Sequence, residues 1–599
     1  MPKIRSKVWE HFQKDEKHGK AYCRYCSSTL VINNPSNLNK HLRSKHPVIY
    51  AAKKAAVDLG EPAQVVTIAQ PGIASIKGSS VSSTPQKSPE SRKTGNSQEN
   101  IVRSILKFIA KDNVHVNIVN GEGFSDLIKD LVPCYSPITS KLARNKLDHH
   151  YDILFHKKKT ELAKVEHISL TADNWVEPNT STNYLNVTAH YIGNDGRTKS
   201  VLISCRPFNE NQTAQNIKSN FEEILGEWNI PAFKIVCLVT DGEANLLESG
   251  QIWPGKGRNF VCFAHRLNLA VRAALEATTD VIAVLEKVKG IVDVLIREQA
   301  ASDELARVFE HEGKNYVKLV QCVDTRFTSI YKMVERFIAC YDFVSLALTQ
   351  SYGGGMVTSQ EKDILMDILA VLKPLQLVAD ELCGEKYPTL SKVIPITLCL
   401  KRALENVSPI TDSGLLLKQA CFETIQAKIG DPEFATIAAV STILDPRFKN
   451  IDFQHPTACS NALRIVNDYL NTRSTTTEVR VEQPATHLLW SHHDKLASNI
   501  SIDQSCNNSL HPSLKTYLES PISHRFSDPV AIWHEIGFDK HLKNYALKHL
   551  SVPATSVSPE ILFTKHGDLV DYRRSQIKPK RLQKLLFLNS LSLDELRGV

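Results

Sequence analysis

The chain contains no uninterrupted run of about 18 or more apolar residues, the length that a membrane-spanning helix requires. Its opening, MPKIRSKVWEHF, lacks the apolar stretch that a secretory leader carries. The expectation is a chain neither secreted nor embedded in a membrane. Nothing suggests a disulfide framework either. The 13 cysteines in 599 residues are odd in number. Most sit inside apolar stretches such as SKVIPITLCL and KIVCLVTDG, and read as reduced core residues. Only Cys23 and Cys26 stand at an informative spacing. Compositional bias is missing too, since 42% hydrophobic and 23% charged residues describe an ordinary soluble protein. The length exceeds the roughly 250–300 residues at which single cores stop growing, so several cores are expected. The net charge of +8 is modest but uneven. Residues 1–50 carry many Lys and Arg and few acids, which points to a polyanion-binding end.

That end contains AYCRYCSSTLVINNPSNLNKHLRSKHP, which gives Cys23-x2-Cys26-x14-His41-x4-His46. Zinc takes four tetrahedral N or S ligands. A C-x2-C turn supplies two of them, and histidines on neighbouring helical turns supply the others. A short helix starts at Pro35 and Ser36, with Leu38 and Leu42 facing inward beside both histidines. Trp9 and Phe12 can pack over a module too small to fold without metal. The helix then presents Asn37, Asn39, Lys40, Arg43 and Lys45 outward, with Arg5 and Lys7 upstream. Amides and cations of this kind read base edges and grip phosphates of double-stranded DNA. A merely solvated basic face is the alternative. The pattern resembles the BED-type zinc finger over residues 3–48, a small ββα-type module found in transcription factors, chromatin-boundary proteins and transposases.

Residues 60–99, rich in Ser, Pro, Lys and Gln, read as a disordered tether that cannot bury enough surface to offset its ordering entropy. Helical patterns occupy 101–162. The period then changes. HISLTAD (167–173), NYLNVTAHYIG (183–193) and TKSVLISCRPF (198–208) read as consecutive antiparallel strands. TAQNIKSNFEEILGEWN reads as a helix, KIVCLVTDG as a buried strand, and NFVCFAHRLNLAV as a strand entering a helix. In the order β-β-β-α-β, a right-handed helix crossover allows the fourth strand to lie parallel beside the first. Asp173, ending the first, and Asp241, ending the fourth, would then meet at one sheet edge. Each alone is a good turn residue. Together they repel unless a divalent cation sits between them, which makes a candidate Mg²⁺ site.

This α/β arrangement resembles the RNase H-like catalytic domain of hAT-family transposases, the group of Hermes and hobo. CFAHRLN (Cys262-x2-His265) is similar to the family's C-x2-H motif, and DTRFTSIYKMVERF to its TRW-containing segment, here Thr325-Arg326-Phe327. VLKPLQLVADELCGEKYPTLSKVIPI and LDPRFKN match the BED-hAT subgroup, and residues 551–590 resemble the C-terminal hAT block. The resemblance implies an RNase H-like core at 163–274, interrupted by an all-helical insertion at 275–525 with a loop at about 470–515. It further implies a helical intermediate or dimerisation region at 101–162, and a C-terminal dimerisation block at 526–599. The apolar amphipathic stretches KHLKNYALKHLSVP and KPKRLQKLLFLNSLSL would serve a homodimer or higher oligomer, or an intramolecular core, or both.

In the family a distant Glu completes the acidic set, within a Ser-Glu-Arg triplet. Glu560 stands there, but between Pro559 and Ile561. The Arg lost at 561 is a cation that could pair a carboxylate or phosphate. The family tryptophan that stacks near the DNA end is Phe327, and the paired tryptophans before the block are Ile532-Trp533. The resemblance thus implies two readings. One is a zinc-dependent, sequence-specific, nuclear DNA-binding regulator domesticated from a hAT transposase, in which Asp173, Asp241 and Glu560 are relics. The other is an active Mg²⁺-dependent transposase in which they are catalytic. The altered triplet, Phe327 and Ile532 favour the first. Nothing in the residues shows the ligase chemistry of a SUMO-pathway factor, the third reading.

Overall fold

The computed structural model describes residues 12–15, 20–23, 29–31, 38, 40, 41 and 43, and then 94–133, 135–176, 182–208, 213–255, 257–351, 356–382, 389–473, 510–535, 537–556 and 578–597. The chain divides into two units, Met1–Glu90 and Ser91–Val599.

In the first unit three short strands, β1 (Phe12–Asp15), β2 (Lys20–Cys23) and β3 (Thr29–Val31), form one antiparallel sheet. The sequence reading of a two-stranded ββα module is therefore short by one strand. Alternation along β2 puts Ala21 and Cys23 inside and Lys20 and Tyr22 outside, the period of two that a half-buried strand requires. Phe12 pairs with Cys23 in register and meets the ring of His41 edge-on at 5.8 Å. Leu38 and His41 are helical and buried on the same side.

The second unit is organised by a five-stranded sheet of order β6-β5-β4-β7-β8. Its strands are β4 (Ile168–Val176), β5 (Asn183–Ile192), β6 (Thr198–Pro207), β7 (Ile235–Thr240) and β8 (Asn259–Val261). β4–β5 and β5–β6 are antiparallel, and β4–β7 and β7–β8 are parallel. The parallel pairing follows from the Ala214–Trp228 helix, which carries the chain across the sheet between β6 and β7. Every residue of β7 is buried, because helices cover both of its faces. On one face the Thr94–Lys111, Ser140–Lys164 and Ala214–Trp228 helices share a core with the sheet. On the other, Val236, Cys237 and Val239 join a core built by helices from Phe263 onward. The Pro579–Ser590 helix closes the β6 edge. Its Leu582 and Leu586 pack on Tyr184, Leu202 and Cys205, and the Leu202 amide donates to Ser590 Oγ at 3.1 Å.

Three details depart from the sequence reading. The Thr94–Lys111 helix begins inside the expected 60–99 tether, whose remainder lies outside the described residues. The Pro456–Arg473 and Pro512–Glu519 helices trim the expected 470–515 loop at both ends. β4 runs three residues past Asp173, because β5 continues to pair with it as far as Val176–Asn183. Both C-terminal amphipathic stretches also enter intramolecular cores. Lys540–Leu550 buries Leu542, Tyr545, Ala546 and Leu550 against the 439–470 helices, and Pro579–Ser590 closes the sheet. Among the described residues no helix is long and apolar enough to cross a membrane.

Two histidines in this unit predict its response to acid. Burial holds the His549 imidazole down at about 3 and the His190 imidazole down at about 4, from an ordinary 6.5. His549 Nδ1 donates to the Tyr545 carbonyl at 2.9 Å, and the His190 ring lies 3.0 Å from Thr171 Oγ1. Both are neutral in the fold, whereas an unfolded chain binds a proton at each below pH 6.5. Their stabilisation is therefore complete above 6.5 and declines as pH falls toward the folded values, by about 1.4 kcal/mol per pH unit for each. Urea midpoints measured between pH 7.5 and 5 are expected to fall, and His549→Phe to flatten the decline.

Candidate functional site

The finger helix divides its side chains by face. His41 and Leu38 are buried, while Lys40 and Arg43 are exposed. Cys23, from the end of β2, is 8% exposed and His41 is 9% exposed, both close to the ring of Phe12. A thiolate and an imidazole turned into one small interior fit Zn²⁺, which takes S and N donors and needs them shielded. Cys26 and His46, the other expected ligands, lie outside the described residues, as do Arg5, Lys7, Asn37, Asn39 and Lys45.

The second candidate site forms where β4 and β7 end their shared ladder. Ala172 pairs with Thr240 in parallel register; Asp173 follows within β4, and Asp241 is the first residue after β7. Neighbouring strands lie roughly 4.8 Å apart, so the two acids stand at the same end of the β4–β7 pair. Asp241 is 7% exposed, and its Oδ1 accepts from the Glu243 amide at 3.1 Å. Gly242 between them has φ +97°, and a Cβ there would meet Val261 Cγ1 at 3.0 Å, so only glycine makes this turn without strain. Burial pushes the Asp241 carboxyl above its ordinary range and the Glu243 charge adds to this, against the Glu243 amide and His265. Such a carboxyl is held poorly solvated and gains from a cation.

Sequence reasoning missed two members of this edge. Asn174 Nδ2 donates to Glu243 Oε2 at 2.7 Å, joining β4 to the turn after β7. The only sequence signal for Glu243 is its place two residues after a strand-ending acid. Cys262 and His265 are brought to the same edge. The Cys262 amide donates to the Thr240 carbonyl at 2.7 Å, and Cys262 Sγ accepts from the Ser556 amide at 3.3 Å. Burial pushes the Cys262 thiol up, so it serves here as a structural acceptor. Through these bonds the 552–556 segment docks beside the acids. Phe263 N donates to the Ala554 carbonyl at 2.9 Å, and Ala554 N to Thr389 Oγ1 at 2.8 Å. Glu560 itself lies outside the described residues. Among the described residues no group of three or more His, Cys, Asp or Glu could hold a metal.

The Thr325-Arg326-Phe327 segment is clamped by Asn268, which follows His265 in the same helix. Asn268 Nδ2 donates to the Thr325 carbonyl at 2.8 Å, and its Oδ1 accepts from the Phe327 amide at 3.0 Å. Arg326 is half-buried. Phe327 is 2% exposed and opens the Phe327–Ala339 helix with its ring in the core beside Ile330, Tyr331 and Val334. As placed, its ring packs in that core. Trp533 is likewise fully buried, donating from Nε1 to the Leu444 carbonyl at 2.9 Å.

A BED zinc finger model matches residues 6–47, a ZBED1 RNase-like domain matches 171–249, and the hAT family C-terminal dimerisation region matches 513–592. Zinc finger BED domain-containing protein 4 of Homo sapiens is 23% identical over 621 aligned positions, covering 97% of this chain and 51% of that protein. The putative AC transposase of Zea mays is 22% identical, covering 75% of this chain and 56% of its own length. The Hobo transposase of Drosophila melanogaster is 21% identical, covering 68% and 57%. The chain thus spans little more than half of each of these three relatives. It carries a BED zinc finger and a hAT C-terminal dimerisation region, and its homologues are zinc finger BED proteins and hAT transposases.

Proposed function

We propose that this chain is a zinc-dependent, sequence-specific DNA-binding protein domesticated from a hAT transposase, acting in the nucleus as a transcription or chromatin regulator. The observation that carries the reading is the two-faced finger, with Cys23 and His41 turned inward and Lys40 and Arg43 outward. The buried ligands fix the helix, and the exposed cations suit phosphate contacts. The hAT dimerisation region would pair two fingers, so that two half-sites are read together and affinity rises through effective concentration.

One observation favours the second reading, an active transposase. Asp173 and Asp241 directly follow the last residues paired between β4 and β7, and the Ser556 amide donates to Cys262 Sγ. If Mg²⁺ binds, Asp173 and Asp241 would hold it and it would stabilise charge on phosphate oxygens. Against cleavage stand the Pro559-Glu560-Ile561 sequence and the burial of Phe327. Purified protein, offered a random DNA library, is expected to select a short motif in a zinc-dependent manner and to leave the selected DNA intact in Mg²⁺ or Mn²⁺.

A further inference from the structure

We infer that the groove between the Ser359–Leu382 and Val393–Glu405 helices binds an acidic, amphipathic helix of a partner protein. The groove has a volume of about 660 Å³ and an apolar floor of Val378, Ile396, Leu400 and Phe448. Its third wall is the stretch after Glu519, which carries Arg525 and Phe526 and is fixed in place because Ser523 N donates to the Pro446 carbonyl at 2.9 Å. Two large apolar side chains on the rim face solvent, Leu377 at 60% exposure and Phe526 at 72%. Pro374, inside the first helix, has no N–H for the Ala370 carbonyl, and both residues line the groove.

The charge of the rim selects the occupant. Lys373, Lys392 and Arg525 line the groove against one acid, Glu381, which is paired with Lys392. The Arg525 guanidinium lies 4.4 Å over the Phe526 ring, so cation and apolar surface form one continuous edge. A helix whose leucine-type residues recur at i, i+3, i+4 and i+7 fills such an apolar trough. Glutamates or aspartates on its flanks would then meet Lys373 and Arg525. A second copy of this chain is the poorer fit. A symmetric contact would set groove against groove and bring two basic rims together. Neither Asp173 nor Asp241 lines this groove.

The test uses the full chain and a short fluorescein-labelled peptide with leucines at i, i+3, i+4 and i+7 and glutamates elsewhere. A second peptide has lysines in place of the glutamates. Saturable binding of the first, at least about tenfold tighter than the second and weakened by salt, is expected. Leu377→Asp and the pair Lys373→Glu with Arg525→Glu should each lower affinity about tenfold or more. All three residues are exposed, so an unchanged melting temperature separates loss of the site from loss of the fold. Equal binding of both peptides, or binding indifferent to these substitutions, overturns the inference. So does Leu377→Asp converting an oligomer to a monomer in sedimentation, since the groove would then hold a second copy. Binding that appears only when residues 474–509 are deleted also overturns it, because the chain's own segment would be the occupant.

Discussion

Replacing Cys23 with serine, or stripping zinc with a chelator, is expected to unfold the first unit and abolish DNA binding. The buried side chains described there are few: Phe12, Ala21, Cys23, Leu38 and His41. So small a core supplies at most a few kcal/mol, whereas a structural zinc contributes roughly 10–16 kcal/mol in finger-sized modules. Serine keeps the size of the side chain and removes the thiolate, so the loss reports on the metal bond. The measurement is zinc stoichiometry together with a mobility shift on the selected DNA. Lys40→Glu with Arg43→Glu is the contrasting variant. Both side chains are exposed, so zinc should stay bound while affinity falls and the salt dependence becomes shallower by about one unit of slope per lost phosphate contact. Retention of DNA binding by the Cys23 variant would mean that the finger is not the reading head.

Replacing Asp445 with alanine should cost the second unit about 3–5 kcal/mol. Asp445 and Arg447 form an ion pair at 2.7 Å whose side chains are 0% and 2% exposed. The Asp445 carboxylate also accepts from Arg447 Nε at 2.9 Å, from the Arg447 amide at 3.0 Å and from Ser391 Oγ at 2.7 Å. Alanine leaves the guanidinium buried with no carboxylate, which is more costly than losing the pair altogether. Two residues on, Lys449, 1% exposed and at φ +50°, donates to the Tyr517 carbonyl at 2.8 Å and to Ser520 Oγ at 3.0 Å. The LDPRFKN stretch therefore ties the helical insertion to the 512–550 helices. Urea unfolding is the readout, and Asp445→Leu with Arg447→Met should recover much of the loss by removing both charges. If Asp445→Ala unfolds at the same midpoint as the parent protein, this polar knot is not what fixes these helices.

The strand order was legible because β4, β5 and β6 are rich in β-branched residues and separated by turn signals, and β7 is an unbroken apolar run. Given that order, a right-handed crossover allows β7 to lie parallel beside β4, as it does. What the sequence could not show depends on distant partners. Asp173 looked like a strand end because TADN is a turn sequence, yet pairing with β5 extends the strand to Val176. The helix start at Thr94 precedes the first apolar residue of its pattern. It is supported by tertiary bonds, with Gln98 donating to the Ser136 carbonyl and accepting from the Ser136 amide. Asn174 and Glu243 are 69 residues apart and carry no shared motif. Phe327 read as a weaker stacking residue because the family comparison is made on side-chain type, whereas its burial is a property of packing. The groove beside Leu377 needed the crossing of two helices separated by sequence without periodicity.

The most direct test of the account is a cleavage assay on the DNA that the finger selects, with Mg²⁺ or Mn²⁺, the parent protein and Asp241→Asn side by side. The account predicts zinc-dependent binding by both proteins and intact DNA in every lane. Metal-dependent strand cleavage by the parent protein that disappears in Asp241→Asn would contradict it and make the acidic edge a working active site.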